Sequence, residues 1–416
     1  MAARERNDAE RIAVVLAGGG ARGAYEAGIL SWVLDSLPKK LGRPARFDIC
    51  TGTSVGGIHA CYIAATQGEE NAGERLTEIW KSLTFESVYK VGPTDLVRVP
   101  WRLIGLGRLG ELIPATRPGA PDRLAGLLDT STLEEQVLDK IPWRRIRENI
   151  DEGRLEALAV TATEIVTGRS VVFVDHGKKG APPWASDPFV IARAARIGPA
   201  HALASAAIPL VFPAVRIGRT YYADGGLRLN TPLAPALRLG ADRVLVIGLR
   251  YPLTSEEEDT RARRREKGFV SAVYLAGKVL NALLMDRIEY DVDRLRLFNA
   301  ILQKGLEKYG PGFIEQINEP IIEQRNAPYR IVRDLYLRPS RDLGEIADEC
   351  LRHRPRSRNV RTWLSRGVAR YAARGGLGEA DLLSYLYFDK CYAEHLIELG
   401  RKDAARKADA FVEFFS

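Results

Sequence analysis

The sequence predicts an α/β fold: a mostly parallel central sheet sandwiched by helices, with a helical C-terminal extension. Two observations predict it. Short apolar runs of strand character at 12–17, 47–51, 155–162, 170–175, 220–223 and 243–248 alternate with helical stretches, as in a sheet covered on both faces. The first two runs end in glycine-punctuated turns that lead straight into helices. With 416 residues the chain can bury a large core. Past Arg250 the character changes. Residues 255–267 are densely charged and read as an exposed helix or linker, 269–288 are apolar enough for a buried or amphipathic helix, and from Gly344 onward the reading is helical. The expected organisation is an N-terminal tail (1–10), a catalytic core (11–250), a charged linker with an apolar helix and peripheral elements of the core (251–343), and the extension (344–416).

The first strand runs into Gly18-Gly19-Gly20-Ala21-Arg22-Gly23 and a helix to about Leu37. Successive glycines at a helix N-terminus expose backbone N–H donors to any negative charge above them, which suits the oxyanion of an acyl-transfer intermediate. The same residues fit the Gly-x-Gly-x-x-Gly fingerprint of dinucleotide sites. That reading requires an acidic residue at the far end of the next strand, whereas Asp48 falls near its start.

After the second strand, Gly52-Thr53-Ser54-Val55-Gly56 sets a serine between two glycines just before the helical run 58–65. This is the nucleophile-elbow pattern, in which a strained strand-to-helix turn exposes the serine hydroxyl above a helix N-terminus. An ordinary Gly/Ser turn has the same composition. Far along the chain, the strand at 219–223 ends in Asp224-Gly225-Gly226, followed by a helix with Thr231 as N-cap, Pro232 at its first position and Gly240 past its end. Alone, Asp-Gly is a turn signal.

Taken in order, the loop Gly18-Gly19-Gly20-x-Arg22-Gly23, the elbow Gly52-x-Ser54-x-Gly56 and the turn Asp224-Gly225-Gly226 resemble the patatin-like phospholipases. The stretches 204–213 and 231–233 add to the likeness, which covers roughly 10–250 by motif and extends more loosely to 339–342. The resemblance implies a Ser-Asp dyad without histidine, Ser54 as nucleophile and Asp224 as base, and no metal or organic cofactor. The glycine loop would supply the oxyanion hole. Arg22 would orient that loop or meet an anionic head group, the plain alternative being a surface arginine. His59, on the helix after the elbow, is a small departure from the pattern.

A single aspartate must then do what a histidine usually does. It accepts the serine proton, returns it to the leaving alcohol and activates water against the acyl-enzyme. A solvated aspartate is too weak a base for this, so the site should be partly desolvated and the carboxyl pKa raised. The rival is a Ser-His-Asp triad, in which chain order would require His353 or His395. The α/β-hydrolase fold that carries such a triad in this chain order places its elbow after several strands, whereas Ser54 follows one or two. His59 points around the helix from Ser54, and His201 and His176 sit in Ala/Pro- and Gly-rich contexts that offer no evident carboxylate partner, so these read as structural or surface histidines.

Composition bears on context. The early apolar run is short, follows mixed charges and is needed as a strand, so no signal peptide is expected. Residues 271–285 are too few for a membrane span and carry Lys278 and Asn281. Cys50, Cys61, Cys350 and Cys391 show neither a disulfide framework nor metal-ligand spacing, and read as reduced residues of a cytoplasmic protein. The net charge is +8. Eight arginines between Cys350 and Gly378 match it without a single acid (352, 354, 356, 358, 361, 366, 370 and 374). With Trp363, Leu364, Val368 and Tyr371 interleaved, this stretch suits a basic amphipathic helix on an anionic membrane, or one packed inward with its arginines paired. No nucleic-acid motif accompanies it. The segment 97–109, apolar with interspersed arginines, would be a lid or packed structure. The expected function is a serine acyl hydrolase acting on phospholipids or lysophospholipids. The alternatives are a soluble acyl esterase or acyltransferase with the same pair, or a non-catalytic lipid- or nucleotide-binding module.

Overall fold

The computed structural model of the chain describes residues 10–88, 112–113, 121–124, 131–177, 180, 184, 190–209, 212–252, 256–257, 288–353 and 384–416. Among these, eleven strands form one sheet. They are β1 (Ile12–Leu16), β2 (Ile49–Thr53), β3 (Leu112–Ile113), β4 (Arg123–Leu124), β5 (Ala157–Glu164), β6 (Ser170–Asp175), β7 (Val190–Ala194), β8 (Ala214–Ile217), β9 (Thr220–Asp224), β10 (Arg243–Ile247) and β11 (Arg333–Leu337). Their order is β11-β10-β1-β2-β5-β9-β8-β4-β3, with β6 on β5 and β7 on β6. The central block β11-β10-β1-β2-β5 is parallel throughout. Beyond it the pairings turn antiparallel, except for β6 with β7.

Side-chain alternation explains why the inner strands read as unbroken apolar runs. Val14 and Leu16 of β1 enter the larger core, under the helices Gly23–Ser31 and Val55–Ala65, while Ala13 and Val15 enter a second core with Leu233, Ile288 and Val292. Strands buried on both faces have no polar face to show. The six anticipated strands are all present, with ends displaced by up to two residues, and β3, β4, β7, β8 and β11 are additional. The helix expected after Thr231 begins at Leu233, with Pro232 rather than Thr231 at its N-cap.

The C-terminal helices share the larger core. Helix Lys390–Arg406 lies so close to Gly23–Ser31 that a Cβ on Gly28 would overlap the Ile397 carbonyl, and one on Gly400 the Tyr25 carbonyl. The Tyr25 hydroxyl donates to Asp403 at 3.0 Å across the same contact, and Phe411, Phe414 and Phe415 are buried. The reduced reading of the cysteines holds for the buried Cys50 and Cys61 and is corrected for the other two: Cys350 and Cys391 form a disulfide. Their 41-residue separation hid a proximity created by packing helix Leu343–His353 against Lys390–Arg406. No helix among the described residues is long and apolar enough to cross a membrane. The segment 97–109, the apolar stretch up to residue 287 and the arginines from 354 to 374 lie outside the described residues.

The helix contact yields a prediction. Gly28→Val inserts a side chain where backbone already sits and should destabilise the fold by about 1–3 kcal/mol in chemical denaturation.

Candidate active site

One edge of β5 serves two partners. Ala157 to Thr161 pair with β2, ending with Thr53 opposite Thr161, and at the next residue β9 takes over with Asp224 opposite Ala162. Ser54 follows Thr53 directly, so adjacent β5 residues bring Ser54 and Asp224 together from 170 residues apart. The Ser54 hydroxyl donates to Asp224 Oδ2 at 2.7 Å.

The elbow holds Ser54 at φ 55° and ψ −128°, a conformation that L-residues rarely occupy and that persists only when its surroundings enforce it. Here they do. A Cβ on Gly52 would overlap the Gly56 carbonyl, and one on Gly56 the Leu16 carbonyl, so strand, turn and helix approach closely only with glycine at both places. The Ser54 N–H donates to Ser205 Oγ at 2.8 Å, and that hydroxyl donates to the Thr161 carbonyl at 2.6 Å.

Asp224 is fully buried. Its second oxygen, Oδ1, accepts the Gly226 N–H at 2.7 Å, and its backbone is held by the Ala207 carbonyl and the Thr163 hydroxyl. Burial pushes its carboxyl up to about 6, against the opposing pull of the hydrogen bonds from Ser54 and Gly226. This is the desolvated aspartate that dyad chemistry calls for.

The glycine loop lies beside the pair, with Gly18 facing the Ser54 Cβ. Gly18 N–H donates to the Asn230 carbonyl at 3.0 Å, and Asn230 Nδ2 donates back to the Gly18 carbonyl at 3.1 Å. Gly20 adopts φ +54° with its Cα against the Tyr385 carbonyl. Arg22 is buried and turns inward: its Nε donates to Ser384 Oγ at 2.8 Å and its guanidinium lies 4.0 Å over the Tyr385 ring. Arg22 thus ties the glycine loop to the 384–385 segment.

Behind the loop, Glu26 is wholly buried. Its Oε1 accepts the Ala17 N–H at 2.8 Å and its Oε2 meets His59 Nδ1 at 2.9 Å. Trp80 Nε1 donates to His59 Nε2 at 2.8 Å. An indole can only donate, so Nε2 is the bare nitrogen and Nδ1 carries the proton given to Glu26. Burial keeps the imidazole neutral, pushing it down to about 3, and raises the Glu26 carboxyl well above its usual value. An apolar cavity of about 80 Å³ lies beside Ser54 and Gly20 and is lined by Ile58, Trp80, Ile208 and Phe388 among others.

Ser54 and Asp224 are in contact, with Gly52 and Gly56 in the elbow, Gly225 and Gly226 in the aspartate turn, and the Gly18 to Gly23 loop alongside. Both oxygens of Asp224 are occupied, by Ser54 and Gly226, and none of the hydrogen bonds described for His59, His176, His201 or His395 reaches either member of the pair. His201 accepts the Gly198 N–H and packs edge-on against Phe173. His176 does have a carboxylate partner, Glu156 at 3.4 Å, and His59 has Glu26; sequence distance concealed both. Asp48 binds the Ile12 N–H at the opposite end of β1 from the glycine loop, where it cannot serve a ribose. Sequence reasoning missed Asn230, Ser205, Glu26, Trp80 and the 384–388 segment. Only the acid in the otherwise apolar helix after Gly23 offered a signal.

The arrangement defines a class: an α/β fold with a serine elbow beside a buried carboxylate at the mouth of an apolar cavity. The chain belongs to the patatin-like phospholipase family, whose model matches residues 14–237. A curated relative, a cGAMP-activated phospholipase of Pseudomonas aeruginosa (strain BWHPSA011 / Pa011), is 28% identical over 230 residues, 53% of this chain and 53% of that protein. The chain therefore spans about half the length of that relative. Among solved structures, VipD from Legionella pneumophila aligns over 96% of this chain and 67% of its own, with 12% identity and a TM-score of 0.35.

The Glu26 network is testable by stability. Glu26→Ala leaves the Ala17 N–H and the His59 Nδ1–H buried without acceptors, so chemical denaturation should show a loss of about 2 kcal/mol or more. Glu26→Gln keeps an acceptor in place and should lose distinctly less.

Proposed function

We propose that the protein is a serine acyl hydrolase that cleaves acyl esters of phospholipids or lysophospholipids through Ser54 and Asp224. The observation that carries this reading is the 2.7 Å hydrogen bond from the strained Ser54 hydroxyl to a fully buried carboxylate. Asp224 takes the Ser54 proton as Oγ attacks the ester carbonyl. It gives that proton to the departing alcohol and then draws one from the water that releases the acyl group. The Gly18 N–H is committed to Asn230, so the oxyanion falls to the N–H groups of Gly19 and Gly20. One such donor is worth about 3 kcal/mol of transition-state stabilisation. The apolar cavity beside Ser54 supports an acyl chain as the group held there.

The test is labelling with a fluorophosphonate probe, mapped by mass spectrometry, with assays on a panel of lipids. The label should fall on Ser54, and Ser54→Ala should abolish labelling and hydrolysis in a folded protein. Asp224→Asn should be nearly as damaging and not additive with it, because the two act as a unit. A folded Ser54→Ala protein with substantial turnover contradicts the reading.

We further propose that the enzyme works at an anionic membrane surface, on the basis of the acid-free arginine run. Each basic residue near such a surface contributes about 1 kcal/mol, fading with salt over a Debye length of about 10 Å at 0.1 M. Replacing Arg361, Arg366, Arg370 and Arg374 by Gln should reduce co-sedimentation with anionic vesicles and cleavage of bilayer substrate, while sparing a short-chain soluble ester. Unchanged vesicle binding assigns these arginines to internal pairs.

A further inference from the structure

Away from Ser54, a further set of side chains with chemistry of their own gathers among the described residues. Cys350 lies near the end of helix Leu343–His353, Cys391 opens helix Lys390–Arg406, and His395 follows one turn later on the same face. His395 Nδ1 stands 3.7 Å from the sulfur of each cysteine, and the three donor atoms lie within 4.8 Å of one another. Cys350 is buried, Cys391 half-buried and His395 exposed, so the cluster opens to solvent on the histidine side.

We propose that, once the disulfide is reduced, Cys350, Cys391 and His395 form a binding site for Zn²⁺. A disulfide alone needs no imidazole, yet this one is flanked by a ring nitrogen equidistant from both sulfurs. In a tetrahedral site, Zn–S bonds of about 2.3 Å and a Zn–N bond of about 2.05 Å separate sulfur from nitrogen by about 3.5 Å and sulfur from sulfur by about 3.8 Å. Both sulfur–nitrogen edges already stand near that spacing, and the sulfurs part once the bond between them is broken. Two thiolates and an imidazole are a donor set that favours Zn²⁺ over harder cations. Three protein ligands leave the fourth position, on the exposed side, to water.

The chemistry balances. A dithiol reduces the disulfide by exchange, becoming a disulfide itself and leaving two protein thiols, and Zn²⁺ then displaces both thiol protons. His395 Nδ1 meets the Cys391 carbonyl at 2.8 Å, a hydrogen bond that needs the Nδ1–H tautomer. Ligation requires the other tautomer, with Nε2–H turned to water, and its exposed position allows the change. Either cross-link ties the same two helices, and Cys391 lies three residues past Phe388, which lines the cavity. The site is independent of the chemistry at Ser54.

The full chain is reduced with a dithiol, freed of it without air, and titrated with Co²⁺ and then Zn²⁺. The reduced protein should take up one Co²⁺ with the near-ultraviolet thiolate charge-transfer band and visible bands of a tetrahedral site, bleached by one equivalent of Zn²⁺. The oxidised protein should show neither. Cys391→Ser should lose the charge-transfer band. His395→Gln alters an exposed residue and keeps the disulfide on oxidation, yet should weaken Co²⁺ binding in the reduced protein by at least about tenfold. Reduced protein that takes up no Co²⁺, or a His395→Gln variant that binds as tightly as the parent, overturns the proposal and leaves a disulfide only.

Discussion

The shared edge of β5 is the constraint on which the site depends. A strand has one hydrogen-bonding edge on each side, and where β2 leaves that edge after Thr53, β9 must enter for the β5 backbone to remain paired. Thr161 and Ala162 are neighbours, so the residues facing them are neighbours too. Whatever follows Thr53 meets whatever faces Ala162. Ser205 reinforces the junction by binding both the Ser54 N–H and the Thr161 carbonyl.

Burial turns this juxtaposition into chemistry. An aspartate in water is half-ionised near pH 4 and a feeble base for an alcohol, whereas desolvation moves Asp224 up to about 6. The same burial holds His59 neutral and commits it to Glu26 and Trp80. That network joins the residue before the glycine loop, the helix that Ser54 heads and one wall of the cavity. The C-terminal segment completes the enclosure: Ser384 and Tyr385 engage Arg22, and Phe388 stacks on Trp80. Removal of the last thirty or so residues would expose the loop as well as the core.

The parts of this structure legible in the sequence are those written in local pattern. The apolar runs marked six strands, and the glycines of the elbow, loop and aspartate turn marked where backbone must approach backbone. The parts that were not legible arise from contacts between distant segments. Cys350 and Cys391 were read as reduced because nothing local places one near the other, and the Glu156 partner of His176 was hidden likewise. Asn230 stands beside an anticipated helix start, yet its bond to Gly18 spans 212 residues. Nothing local to Arg22 separates a surface arginine from one that orients the loop or meets a head group, because the groups that bury it come from beyond residue 380.

The measurement that tests this account most directly is the pH dependence of covalent labelling of Ser54 at limiting probe concentration, which reports the ionisation of the base in the free enzyme. As the proposed base, Asp224 would work only when ionised, so the rate should fall as pH drops through about 6, and this inflection should vanish in Asp224→Asn. An inflection near 4, the range of a solvated carboxylate, would contradict a desolvated aspartate. One that survived Asp224→Asn but disappeared on replacing a histidine would restore the triad.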